Sequence, residues 1–237
     1  MTDHQGNRPV ALVTGAGLGE DGGGRRAQAA PGYEVAALDL AAPPTSDQIS
    51  GYACDVSDEE AVAATVGAVT GRYGRIDVAV NCAAIDHTLW LEQMTVAQFD
   101  EILAVNLRGP FLVAKAVWPA MKAGGGGHIV NIASTAAVRT WSGASAYHAS
   151  KFGLVGLSRG LNLEGRQDDI RVTTVIPGGM NTGFFERFAA QGIPLPDPAT
   201  LQNPVNVART ILYAVRLPPD SVLQEIVITP PNEGSWP

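Results

Sequence analysis

Pro9-Val10-Ala11-Leu12-Val13-Thr14-Gly15-Ala16-Gly17-Leu18-Gly19 is the stretch that decides how the rest of the chain folds. Its first half is a short, almost wholly apolar run that stops at glycines, the pattern of a strand buried on both faces. Glycines between such a strand and a following helix let the backbone approach an anion closely, with the helix N-terminus facing it. Gly15, Leu18 and Gly19 are therefore the first candidates for contact with a pyrophosphate. A glycine-rich turn alone is common, and its weight depends on what surrounds it.

Six further apolar runs read as strands, over 33–40, 52–56, 76–84, 128–133, 170–176 and 222–228, with a polar loop at 41–50. Helical patterns fill the gaps. Ser57 with Glu60 reads as a capping box before Val62, Val66 and Val69, and Thr95 with Gln98 as a second before Phe99 and Leu103. Pro110 predicts a break near 106–109, after which apolar spacing resumes through Val113, Val117 and Met121 until the glycines of 124–127. Leu154, Leu157 and Leu161 mark another helix, and Asn203-Pro204 cap and start one carrying Val207, Ile211 and Val215.

Strand and helix alternate with no linker and no repeat. That predicts an α/β chain: one doubly wound, Rossmann-like parallel sheet of about seven strands with helices on both faces, a single domain over 1–237. Residues 1–8 read as a loose tail and 183–200 as a substrate-loop segment.

A hydrophobic content of 46% can bury a sizeable core at this length. The net charge of −7, with no Lys/Arg cluster, argues against a nucleic-acid partner. No apolar run approaches the roughly 18 residues of a membrane span, so a soluble, cytoplasmic protein is expected. Cys54 and Cys82 offer neither a disulfide framework nor a metal pattern, and no metal site can be assembled.

In a doubly wound sheet, ligands bind beyond the C-terminal strand ends. Gly15–Gly19, Asp39, Asp55, Asn81, Ser134 and Pro177–Thr182 all fall there. Tyr147 and Lys151, four apart on a predicted helix, share a face. An ammonium about 5 Å from the phenol, at an effective dielectric of about 20, is worth roughly 3 kcal/mol, or about two pKa units, and would draw the phenol toward working range. Asp39, 20 residues beyond Gly19, suits the two ribose hydroxyls of NAD and repels the extra phosphate of NADP. Arg25 and Arg26 are the counter-signal, close enough in sequence to reach a 2′-phosphate.

Together, Thr14-Gly15, Asn81-Cys82-Ala83-Ala84, Asn106, Ser134, the Tyr147/Lys151 pair and Pro177-Gly178 resemble the short-chain dehydrogenase/reductase family, in its order and spacing, over essentially the whole chain. The resemblance implies hydride transfer between NAD(H) and a small alcohol or ketone. Tyr147 would be the general acid in reduction and the base in oxidation. Lys151 would lower its pKa and bind the nicotinamide ribose, Ser134 would hydrogen-bond the substrate oxygen, and Asn106 would position a water joining Lys151 to solvent. Asp39 and Leu40 would meet the adenosine ribose, Asp55 and Val56 the adenine, and Asn81, Ala83 and Ala84 the adenine-ribose side; Pro177, Gly178 and Thr182 would hold the nicotinamide end. Dimers or tetramers would form through helices at about 108–123 and 147–163.

His87, Trp90, Trp141 and the segment 179–196, including Gly179, are expected to shape the substrate pocket. Phe184, Phe185 and Phe188 read either as an apolar lid or as a helix face packed on the body or a neighbouring subunit, and His148 as structural. Three features depart from the family pattern. The last glycine of the turn is Asp21, Cys82 and Ala84 replace an asparagine and a glycine, and residues 20–31 lack the apolar stripe of a packed helix. They favour a rival reading, a cofactor-binding relative with weak or no turnover.

Overall fold

The computed structural model describes residues 8–17 and 31–233. Seven strands, β1 (Val10–Thr14), β2 (Glu34–Asp39), β3 (Ile49–Ala53), β4 (Val78–Asn81), β5 (Gly127–Ile132), β6 (Ile170–Pro177) and β7 (Glu225–Ile228), form one sheet in the order β3-β2-β1-β4-β5-β6-β7. Every neighbouring pair is parallel. The winding direction reverses between β1 and β4, which opens a crevice beyond their C-terminal ends.

Successive side chains of a strand face opposite ways, and here both faces are covered. Val10 and Leu12 of β1, Leu38 of β2, Ala79 of β4 and Ile129 of β5 face one layer with α1 (Glu59–Tyr73), α3 (Gly109–Ala123) and Leu161 of α4 (Ser145–Glu164). Ala11, Val35, Val80 and Val130 face the other, packed with Val207 and Val215 of α6 (Pro204–Val215). α2 (Val96–Leu103) and the short α5 (Glu186–Ala190) complete the helices among the described residues. Leu12, wholly buried, anchors the first layer; truncation to Ala at such a site costs about 2–5 kcal/mol.

The α/β expectation and the element order hold, and several edges move for identifiable reasons. The first helix is capped by Asp58, whose side chain accepts from the N–H groups of Glu60 and Ala61, and not by Ser57. Ser57 instead donates its hydroxyl to Asp55 Oδ1 at 2.7 Å. The Thr95/Gln98 capping box is present. β3 covers 49–53 and not 52–56, because its pairing with β2 runs from Val35↔Ile49 to Asp39↔Ala53. Ile49 and Ser50 therefore belong to a strand and not to the polar loop.

β4 is shorter than the apolar run 76–84. Beyond Asn81 the ladder gives way to side chains: Thr14 Oγ1 accepts from the N–H of Cys82 and Ala83, and Asn106 accepts from Ile85. β7 likewise starts at Glu225 and not at 222. The break near 106–109 is a π-helical turn over Ala104–Arg108, with Pro110 in the first turn of α3, where its missing N–H costs nothing. The segment of weak packing expected over 20–31 lies, but for Pro31, outside the described residues. So do Leu18, Gly19, Asp21, Arg25 and Arg26.

Candidate active site

The crevice is built from the glycine turn upward. Gly15 adopts φ +66°, and a Cβ there would come within 2.7 Å of the Ala83 backbone, so only glycine allows the turn to lie this close to the loop after β4. The Thr14 hydroxyl closes the same contact from the other side, at 3.1 and 3.2 Å from the amides of Cys82 and Ala83. Asp39, at the end of β2, accepts from the N–H of Gly17 at 2.7 Å through one oxygen and from that of Leu40 at 2.8 Å through the other. A Cβ on Gly17 would meet that carboxylate at 2.7 Å. Leu40 itself is exposed. The carboxylate thus stands against the described part of the glycine turn, fixed by two charge-assisted bonds.

Asp55 folds its carboxylate onto Ser57, accepting from both N–H and hydroxyl, and Val56 is buried against Gly109. Asn81 is buried and donates to Asn131 at 2.8 Å, while its own Oδ1 has no partner among the described residues. Cys82 is open to solvent yet ringed by protein. Burial pushes its thiol up, while the Lys151 charge pulls it down and the Asp39 charge pushes it up. Cys82 lies beside the glycine turn, its N–H on Thr14 and its backbone against Gly15. Ala84 follows, half-buried.

Ser134 leaves β5 as the cap of a short 3₁₀ turn, its Oγ accepting from the N–H of Ala136 at 3.1 Å. α4 carries Tyr147 and Lys151 on the face turned to it. The Ser134 hydroxyl stands beside the Tyr147 phenol and acts to favour its ionised form. Lys151, 2% exposed, stands with Nζ 5.6 Å from the Tyr147 ring centre and donates to the Ile132 carbonyl at 2.9 Å. An ammonium has three protons, and this is its one acceptor among the described residues. Burial lowers Lys151 to about 8.

The expectation of a phenol drawn down by Lys151 is not met in the protein alone. Burial pushes Tyr147 well above its usual value, and Ser134 only partly opposes it. Desolvation penalises the charged form of both groups and is the largest cause at each.

Asn106 sits in the π-helical turn with no exposed surface. Its Nδ2 donates to the Ile85 carbonyl at 2.8 Å and to Ser150 Oγ at 3.1 Å, while Oδ1 accepts from the Ile85 N–H at 2.8 Å. Ser150 in turn donates to the Tyr147 carbonyl at 2.7 Å. Asn106 thereby ties the loop after β4 to the turn of helix that carries the phenol. Both its side-chain protons are spent on protein partners, so a water-holding role would fall to other atoms.

Pro177 ends β6, and Gly178 continues the ladder by donating to Ile228 at 2.9 Å. The N–H of Gly179 donates to Glu233, which also pairs with Arg139, so the C-terminal segment is strapped over this end of the crevice. Thr182 is exposed and caps the turn that presents the aromatic cluster. Phe184 lies on the catalytic side, its ring 5.8 Å from that of Tyr147, with Phe185 and Phe188 packed edge-on behind it. Of the two readings of this cluster, packing on the body describes Phe184, and the body it packs on is the phenol.

His87 pairs with Glu101 at 2.7 Å, which directs its ring toward α2. Trp90 and Trp141 are exposed. The Trp141 ring rests edge-on against His148, which donates from Nδ1 to Ala136 and accepts at Nε2 from the Trp141 N–H, holding the loop after Ser134. Sequence reasoning missed Asp86, a buried carboxylate whose charge reaches the phenol, and Glu233 and Gln191, which pin the segments around the crevice. Only the unusual carboxylate in an apolar run, Ala84-Ile85-Asp86, could have drawn attention to the first. An open hollow of about 700 Å³ at the opposite edge, lined by Asp77, His128, Arg166 and Arg171 among others, shares none of these groups.

The model of the short chain dehydrogenase family matches residues 9–192. D-threitol dehydrogenase of Mycolicibacterium smegmatis is 40% identical over 178 residues, which span 71% of this chain and 68% of that protein. The crystal structure of levodione reductase superposes with a TM-score of 0.80 at 27% identity, covering 93% of this chain and 95% of that one. A metagenomic short-chain oxidoreductase solved in complex with NADP gives a TM-score of 0.73 at 29% identity, over 94% and 96%.

Proposed function

Since this chain belongs to the short-chain dehydrogenases, an oxidoreductase family, we propose that it moves a hydride between NAD(H) and a small alcohol or ketone. The observation that carries the reading is the set gathered at one sheet edge: Ser134 beside the Tyr147 phenol, with the buried, under-partnered Lys151 5.6 Å from its ring centre. The residues fit a dinucleotide. Gly15 brings the turn close to Ala83, Asp39 offers a fixed carboxylate, Asn81 keeps a buried oxygen unpaired among the described residues, and Lys151 keeps protons to donate.

In this reading Asp39 and Leu40 receive the adenosine ribose, and a carboxylate there favours NAD over NADP. Val56, with Asp55, lies on the adenine side; Asn81, Ala83 and Ala84 follow, and Pro177, Gly178 and Thr182 guard the nicotinamide end. When bound, the cofactor supplies or accepts the hydride. Lys151 turns its remaining protons to ribose hydroxyls. Ser134 donates to the substrate oxygen as charge gathers there, a contribution of about 10²–10³-fold for a well-placed donor. Tyr147 gives its proton to that oxygen in reduction. Burial favours the neutral phenol, so it is held as an acid near neutral pH, while oxidation calls for its loss at higher pH. Phe184, with Phe185 behind it, shields the phenol from water, and Gly179 and Trp141 border the substrate side.

We further read the protein as cytoplasmic and as a homo-oligomer: Phe111 on α3 and Phe152 on α4 present exposed rings suited to a second copy. Light scattering at micromolar concentration tests this. No helix among the described residues is long and apolar enough to cross a membrane. The function itself is tested by a panel of alcohols and ketones with NAD(H) and NADP(H), run beside Tyr147→Phe. Turnover that falls about 10²–10⁴-fold in the variant is expected. Dinucleotide binding without any turnover would favour a non-catalytic relative.

A further inference from the structure

The loop after β4 carries a carboxylate that the chemistry above does not use. Asp86 is 5% exposed, one residue beyond the Ile85 backbone that Asn106 holds at both its N–H and its carbonyl, so its position is fixed. One oxygen accepts from the Thr88 hydroxyl at 2.9 Å. The other is buried and has no partner among the described residues. Asn106 links this loop through Ser150 to the Tyr147 carbonyl, and Thr88 lies against Gly143 just before α4, so Asp86 stands beside the reacting end of the crevice, where its charge is felt at the phenol. The next turn of the same loop is tied to the segment after α5, since the Thr88 N–H donates to Gln191, just past the phenylalanine cluster.

An unpaired buried carboxylate oxygen is costly, and a donor arriving with a ligand would remove that cost. We infer that Asp86 is a specificity residue: it accepts a hydrogen bond from a substrate hydroxyl other than the reacting one, so the preferred substrates are polyols and the corresponding hydroxy ketones. This rests on the oxidoreductase reading. A substrate ammonium is the weaker match, because the crevice already holds Lys151, whose own charge burial penalises. A purely apolar ketone would leave the oxygen unpaired and gain nothing from it. Sites built to bond a substrate hydroxyl discriminate against the analogue lacking it for this reason.

The test compares 2-butanol with 1,3-butanediol, 2,3-butanediol and four-carbon tetraols as substrates of the full chain with NAD and NADP. The wild type should favour at least one hydroxylated member by about tenfold or more in kcat/KM, the worth of one bond to a charged group. Asp86→Ala should erase that preference by raising KM for the hydroxylated members more than for 2-butanol. Asp86→Asn, closer in shape, keeps an acceptor without the charge and should fall between; it also serves if the alanine variant does not fold. A merely structural role would lower all substrates together and leave their ratio unchanged, and that result overturns the inference. So does a wild type with no preference for the hydroxylated members. Turnover of none of them, nor of any ketone in reverse, overturns the oxidoreductase reading and the inference with it.

Discussion

The amide of Asn106 grips the backbone of Ile85 in both directions, each bond 2.8 Å long, with no water-exposed surface on the asparagine. A third bond, to Ser150, passes the grip to the carbonyl of Tyr147. Asn106→Asp cannot donate to Ile85 or Ser150 and buries a carboxylate, whereas Asn106→Ala leaves Ile85 without its side-chain partner. Each should lose about 2–4 kcal/mol of stability, because buried backbone groups lose partners. Urea unfolding midpoints measure the loss. If Asn106→Ala unfolds at the wild-type midpoint, the clamp is not structural.

Lys151 makes a prediction with a definite sign. Burial holds it at about 8 in the folded protein, below the roughly 10.4 of the unfolded chain. Between these values the unfolded state binds the extra proton, so this group's contribution to stability rises with pH over about 8–10. Below pH 8 the buried charge costs roughly 3 kcal/mol, by the same difference. Lys151→Met should therefore raise the melting temperature at pH 7, lose activity, and close the gap to wild type as the pH climbs. Cys54 and Tyr147, both pushed up by burial, act in the opposite sense at high pH and are common to both proteins, whereas Cys82 loses the downward pull of Lys151 in the variant. With Cys82→Ser in both proteins, the difference between the two melting curves isolates Lys151.

Much of this was legible in the chain. The alternation of apolar runs and helical stripes carried the parallel sheet, because a strand covered on both faces must be apolar throughout, as Ala79 and Val80 are. Strand ends were less legible where a side chain replaces the neighbouring strand, as Thr14 and Asn106 do beyond Asn81. A hydroxyl or amide gives no periodic signal. The Tyr147/Lys151 spacing put both groups on one face of α4. The spacing carries no sign of how deeply the pair is buried, and burial is what sets the electrostatics of both groups. Asp86 went unnoticed since nothing in a single sequence tells an inward carboxylate from an outward one, and its neighbour His87 was the residue that turned toward α2.

The ring of Phe184 over Tyr147 sets a second pH effect. Burial is the main cause of the raised phenol, so removing cover should lower it. Phe184→Ala should move the rising limb of the alcohol-oxidation pH profile to lower pH and raise substrate KM through a wetter pocket. A profile that keeps its position would mean that the ring does not contribute to desolvating the phenol.

Asp39 governs cofactor choice, and its geometry makes the test sharp. Both oxygens are already bonded, to the N–H of Gly17 and of Leu40, so the carboxylate cannot easily swing away from an incoming 2′-phosphate. Two unit charges about 5 Å apart at an effective dielectric of about 20 repel by about 3 kcal/mol, and solvent screening of this half-exposed group reduces that. Asp39→Asn keeps an acceptor for Gly17 and removes the charge. The ratio of kcat/KM for NADP over NAD should therefore rise about 10–100-fold. Binding can be followed without turnover, because Cys82 lies against the glycine turn that also bonds Asp39 and is open to solvent. NAD should protect Cys82 from iodoacetamide in the wild type, and NADP should do so comparably only in the variant. A wild type that prefers NADP in both measurements would show that Asp39 does not face the ribose.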